Sequence, residues 1–390
     1  MKFDTSADDL LRLARQRAGL EDYGEDLRFL VPFRKMVDAV NAETDFSAEG
    51  RDKARERFLR LLVNRLRFQD DLKKHPEILD QEILPPLVVL GMPRTGSTKL
   101  HRMLWQGGDF IGMLMWQGYN FAPFPDARPD GEDPRIESAA EFLSWRAGKH
   151  AVISKAHHAE ALEPEEEIYL LEPSFSSWIV HGYYQIPSYI DWLRHQDRDH
   201  AYQYLRQLLQ YLQWQHHRHE TPRRWILKAI PHIGYEADML RHFPGTKFVM
   251  LHRKPQEVIP SIISLTYGMR HQYSDSIADK EEIGRWLLGE LSGLMQRHMA
   301  WRETVGADTV IDMAYEDVRA KDYDIAREVY DFCGMDFTDK AWQGMADWLK
   351  VNIQHSQGEH VYSLEGTGVT EADIDVRFAD YMTKYRPFIK

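Results

Sequence analysis

Residues Leu87–Leu104 read LVVLGMPRTGSTKLHRML. Leu87, Val88, Val89 and Leu90 form a short uninterrupted apolar run, the pattern of a strand buried on both faces of a parallel sheet. The turn Gly91-Met-Pro-Arg-Thr-Gly96-Ser97-Thr98 follows, and Leu100, Met103 and Leu104 then recur at helical spacing. Strand, glycine-bearing turn and helix gather backbone N–H groups around one point, where the helix dipole and Arg94 favour an anion. In physical terms this is a phosphate-binding loop. Its two glycines have the spacing of G-x-x-x-x-G-K-[ST], yet Ser97 occupies the place of the lysine that reaches the β- and γ-phosphates of a nucleoside triphosphate. Lys99, two places on, faces elsewhere on the helix.

Outward from this stretch the strand-then-helix passage repeats. Trp225–Lys228 leads to His232–Phe243, Phe248–Leu251 leads to Gln256–Leu265, and Thr309–Met313 leads to Tyr323–Phe332. Such alternation predicts an α/β fold, a P-loop-like parallel sheet flanked by helices, with ligands at the carboxyl ends of the strands. Residues 1–84 carry apolar positions at helical spacing (Phe58, Leu61, Leu62, Leu66) and read as a helical N-terminal layer. The run RDKARER at Arg51–Arg57 reads as a solvated helix face. Residues 85–390 form the α/β domain, with an aromatic-rich, helical insert at about 109–223 that reads as a lid or an acceptor pocket, and equally as a plain helical elaboration of the fold.

Composition narrows the class. The 390 residues are 43% hydrophobic and 28% charged, ordinary globular usage. With 49 basic against 61 acidic residues the net charge is −12, which argues against a nucleic-acid coat. Cys333 is the only cysteine and no apolar leader opens the chain, so a reduced, cytoplasmic protein is expected, with no transmembrane segment. Eleven Trp, 18 Tyr and 17 Phe suit aromatic-lined pockets for a nucleotide or an apolar ligand.

The loop G-x-P-R-[ST]-G-[ST]-[ST] after a buried strand resembles the 5′-phosphosulfate-binding loop of sulfotransferases that use 3′-phosphoadenosine 5′-phosphosulfate. That resemblance implies a second element, found in Lys247–Leu265 (KFVMLHRKPQEVIPSIISL), where Arg253 and Ser261 correspond to the binders of the 3′-phosphate. Lys254 stands where the family usually has Asp. Arg224–His232 (RWILKAIPH) is similar to the W-x-L-K-[SA]-P-H stretch of bacterial sulfotransferases. In order and over nearly the whole chain, ending with Glu359-His-Val-Tyr-Ser-Leu-Glu-Gly-Thr-Gly, the sequence looks like a bacterial soluble sulfotransferase. The resemblance implies that Arg94, Thr95, Gly96, Ser97, Thr98 and Lys99, with Arg253 and Ser261, bind the donor, and that Lys228 neutralises charge on the bridging oxygen.

The expected reaction is in-line transfer of a sulfuryl group to a hydroxyl of a small, hydrophobic acceptor, without a metal. Relatives often carry Trp-Glu about twenty residues after the loop; here the place is Trp116-Gln117, and Gln cannot accept a proton. The candidate bases are His157, His158, Glu165 and Glu166 in KAHHAEALEPEEEI, and His232. Pro164 and the glutamates after it equally suit the first turn of a helix, and His232 equally suits a helix cap. His216, His217 and His219 lack the spacing of a metal site. The rival readings are a P-loop kinase, which Ser97 opposes, and a non-catalytic nucleotide-binding module. The acceptor and the oligomeric state are not legible.

Overall fold

The computed structural model describes residues 1–125, 131–149, 159–276, 280–352 and 362–389. Five strands, β1 (Leu87–Gly91), β2 (Phe110–Gly112), β3 (Arg224–Leu227), β4 (Lys247–His252) and β5 (Val310–Ala314), make one parallel sheet in the order β2-β3-β1-β4-β5. Four of these match the expected runs. The fifth, β2, lies inside the stretch read as the insert; its three residues, Phe-Ile-Gly, are too short for any periodicity to register, and it is held at the edge by pairing Phe110 with Arg224.

The pleat explains why β1 is apolar throughout. Val88 and Leu90 enter one core with Trp225, Leu227, Phe248 and Met250, while Leu87 and Val89 enter the other with Ile226, Val249 and Leu251. The first core is closed by α1 (Ala7–Ala18), α2 (Leu30–Glu43) and α3 (Ala48–Lys74). The second is closed by α4 (Ser97–Gln106) and by the helices Asp322–Cys333 and Asp339–Val351.

Strand order reverses at β1, whose neighbours are β3 on one side and β4 on the other. In an open parallel sheet the crevice at such a reversal is where ligands sit, beyond the carboxyl ends of the strands. The loop after β1, Lys228 after β3 and Arg253 after β4 all emerge at this edge.

Candidate active site

Backbone geometry shapes the loop. Arg94 (φ 69°) and Gly96 (φ 84°) both adopt left-handed conformations, which bend the chain sharply between β1 and α4. A Cβ on Gly91 would lie 2.4 Å from Thr95 Oγ1, so the strand end requires glycine. The buried Thr95 donates its hydroxyl to Met92 O at 2.7 Å and braces the turn. Ser97 and Thr98 begin α4, where the first backbone N–H groups have no partner within the helix. Lys99 needs correction as a donor-binding side chain: its ammonium donates to Val318 O and Arg319 O, both at 3.1 Å, and pairs with Asp322 at 2.6 Å. Its ammonium is thus engaged at the end of the helix Tyr315–Ala320, whose Tyr315 and Val318 pack beside Gly96 of the loop.

One residue past β3, Lys228 is 4% exposed. Its ammonium donates to Thr98 Oγ1 at 3.0 Å and to Glu166 Oε1, joining the loop helix to the insert. The three consecutive glutamates take three different partners. Glu165 faces Arg102 at 3.8 Å, Glu166 takes Lys228, and Glu167 accepts from the Lys228 backbone N–H (2.8 Å) and pairs with His232 Nε2 (2.6 Å). They precede the short helix Ile168–Leu171 instead of occupying its first turn, which sets aside the reading of them as dipole-stabilising residues.

His232 is also corrected. It is fully buried, with Nε2 engaged by Glu167 and Nδ1 by Tyr202 OH at 3.0 Å, so no ring nitrogen is left to take an acceptor proton. Burial raises the Glu167 carboxyl, but the His232 hydrogen bond and charge and the Lys228 N–H outweigh it and leave it lowered. His232 and Glu167 together position Lys228. Sequence reasoning passed over Glu167; a run of identical glutamates holds no signal of which one turns inward. Under Lys228, burial and the lysine's charge push His101 down to about 4, so that ring stays neutral and donates to Ile226 O at 3.3 Å.

Lys228, Glu166 and Glu165 border a cavity of about 120 Å³ that opens to solvent, with Arg94, Ser97 and Thr98 on the loop side. Its other walls are largely apolar, among them Ile168, Ile179, Ile230, Ile262 and Leu265. Arg253 donates from Nη1 to Arg94 O at 2.7 Å, so two motifs 159 residues apart meet. Its guanidinium lies 4.1 Å over the ring of Tyr315. Just before it, His252 is clamped by Asp312 (2.8 Å) and Tyr381 (3.1 Å), which sets the strand end. Ser261, on the helix Pro255–His271, is buried, and its Oγ has no hydrogen-bond partner among the described residues. Oriented N–H groups, two arginines, a lysine and an orphaned hydroxyl form a donor set that fits a phosphorylated nucleotide sulfate.

His157 and His158 lie outside the described residues. Gln117 accepts from Leu114 N at 2.9 Å and caps its own short helix. His216 packs edge-on against Trp116, and His217 pairs with Glu220. Among the described residues no three His, Cys, Asp or Glu side chains are grouped to hold a metal, and no helix is long and apolar enough to cross a membrane.

Comparison with solved structures finds close likenesses. The chain resembles sulfotransferase STF9 from Mycobacterium avium, with a TM-score of 0.85 and 27% identity over 98% of each chain. It is equally similar to sulfotransferase STF1 from Mycobacterium tuberculosis H37Rv, with a TM-score of 0.83 and 26% identity over 97% of this chain and 100% of the other. No curated protein matches it. The sulfotransferase family model matches residues 85–339, from just before the loop strand to past the last strand of the sheet, and the chain therefore belongs to that family.

Proposed function

We propose that the protein transfers the sulfuryl group of 3′-phosphoadenosine 5′-phosphosulfate to a hydroxyl of a small, largely apolar acceptor. The observation that carries this is the Lys228 ammonium, held between Thr98 of the anion loop and Glu166 on the wall of a mainly apolar cavity. The loop N–H groups with Arg94, Ser97 and Thr98 bind the 5′-phosphosulfate, and Arg253 and Ser261 the 3′-phosphate. The acceptor oxygen forms its bond to sulfur as the bond from sulfur to the bridging phosphate oxygen breaks. Lys228 neutralises the charge that develops on that leaving oxygen. Glu166, released from Lys228 as the lysine turns to the donor, takes the acceptor proton. The insert, about 109–223, supplies the acceptor wall, since Glu166, Ile168 and Ile179 belong to it. No step needs a metal, because a sulfuryl group carries less charge than a terminal phosphate.

The test is thermal unfolding in EDTA with adenosine 3′,5′-bisphosphate, against ATP with Mg²⁺ in excess of chelator. At one hundred times its dissociation constant the bisphosphate stabilises the folded chain by about 2.7 kcal/mol. Stabilisation by ATP with Mg²⁺ alone would overturn the reading in favour of a kinase.

A further inference from the structure

Lys53, Arg57, Arg60 and Arg67 recur along α3 at helical spacing and line a second cavity. The charged run read from sequence as a solvated face thus ends in an arginine turned inward. The Arg57 guanidinium lies 4.0 Å over Tyr183, that of Arg60 lies 4.1 Å over Tyr119, and the Lys53 ammonium lies 5.2 Å from the Trp145 ring. Both arginines bond one carboxylate, Glu172, whose side chain is 6% exposed. Two nearly buried guanidinium groups against one carboxylate leave excess positive charge there, within a chain of net charge −12. Other acids do not cancel it from inside: Glu56 is taken by Arg17 at 2.6 Å, and Glu141 is exposed. Tyr169 and Tyr183 line both this cavity and the one that holds Lys228 and Glu166.

We propose that the second cavity binds an anionic end of the acceptor. The acceptor is then an amphiphile: a hydroxyl at Lys228 and Glu166, an apolar body past Tyr169 and Tyr183, and a terminal carboxylate or phosphate against Arg57 and Arg60. Arg57 and Arg60 each give one N–H edge to Glu172, and Arg60 gives another to the Tyr119 carbonyl, but the buried Arg60 Nε has no partner among the described residues and stays available to such an oxyanion. Burying an excess cation is costly until an anion joins it. This inference rests on the sulfotransferase reading above.

Calorimetric titration of the full chain, saturated with adenosine 3′,5′-bisphosphate, tests it with decanoate, decyl phosphate and methyl decanoate as probes. At least one anion should bind about tenfold or more tighter than the ester, a difference of about 1.4 kcal/mol; the tighter of the two identifies the head group. Arg60→Gln should abolish that preference. Lys53→Glu, at an exposed residue of the rim, should reduce it several-fold, so the test survives if Arg60→Gln fails to fold. Equal binding of ester and anions, binding of none, or a preference untouched by both variants would overturn the proposal. If the bisphosphate itself does not bind, the sulfotransferase reading fails instead; bisphosphate binding without anion preference removes only the amphiphile.

Discussion

Lys228 sits at 4% exposure, which a lysine tolerates because Glu166, Thr98 and the Glu167-anchored backbone surround it. In the proposed mechanism it acts on charge that appears during the reaction more than on the resting donor. Lys228→Ala is therefore expected to lower kcat by about 10²–10³-fold, while the bisphosphate dissociation constant shifts by less than about tenfold. Steady-state kinetics alongside direct titration of the bisphosphate separates the two. On the proposed mechanism Glu166→Gln keeps the shape but removes the base, so kcat should fall by about 10²–10⁴-fold. A kcat within about threefold of the parent in Glu166→Gln would move the base elsewhere.

At the scale of elements, the loop is held from outside its own sequence. Arg253 grips the Arg94 carbonyl from β4, and Lys99 ties α4 to the carbonyls ending the helix Tyr315–Ala320. A lysine at a helix C-terminus answers its dipole and its unpaired carbonyls, and Asp322 adds an ion pair that is mostly shielded from water. Lys99→Met should cost on the order of 1 kcal/mol in urea unfolding and leave bisphosphate affinity within about twofold. Loss of affinity without loss of stability would return Lys99 to the donor site.

For the whole molecule, acid is the natural solvent stress. Burial, then the charge of Lys228, lowers His101 to about 4, and burial, then the charge of Arg135, lowers His216 to about 4; His181, His200 and His252 shift the same way. His101 and His216 stay neutral in the folded state while the unfolded chain binds their protons, so stability falls as pH drops from 6.5 toward 4, and the other three act in the same direction. Glu167, lowered from 4.5, and Glu282, lowered to about 2, contribute stability above pH 4.5 that is lost as pH falls through their folded values. Both classes act in one direction. The urea midpoint should drop steadily from pH 7 to pH 5, and His101→Gln should flatten the drop; each unit of withheld pKa is worth about 1.4 kcal/mol. A midpoint unchanged over that range would refute the assignment of buried neutral histidines.

What the amino-acid sequence determined by itself was local: the apolar run of β1, the glycine turn, the start of α4, and the strand ends bearing Lys228 and Arg253. These are legible because continuous burial, left-handed glycines and helical stripes act between residues near in the chain. Only the tertiary structure decided which glutamate serves which partner, since Glu165, Glu166 and Glu167 are chemically identical and partners such as Lys228 lie 62 residues away. It decided likewise that His232 is a buried support and that β2 joins the edge of the sheet. Arg57 and Arg60 are the sharpest case. A basic stripe at helical spacing looks the same in sequence whether it meets water or, as here, an aromatic wall and one buried carboxylate, because only the neighbours supplied by the fold set the dielectric around a charge.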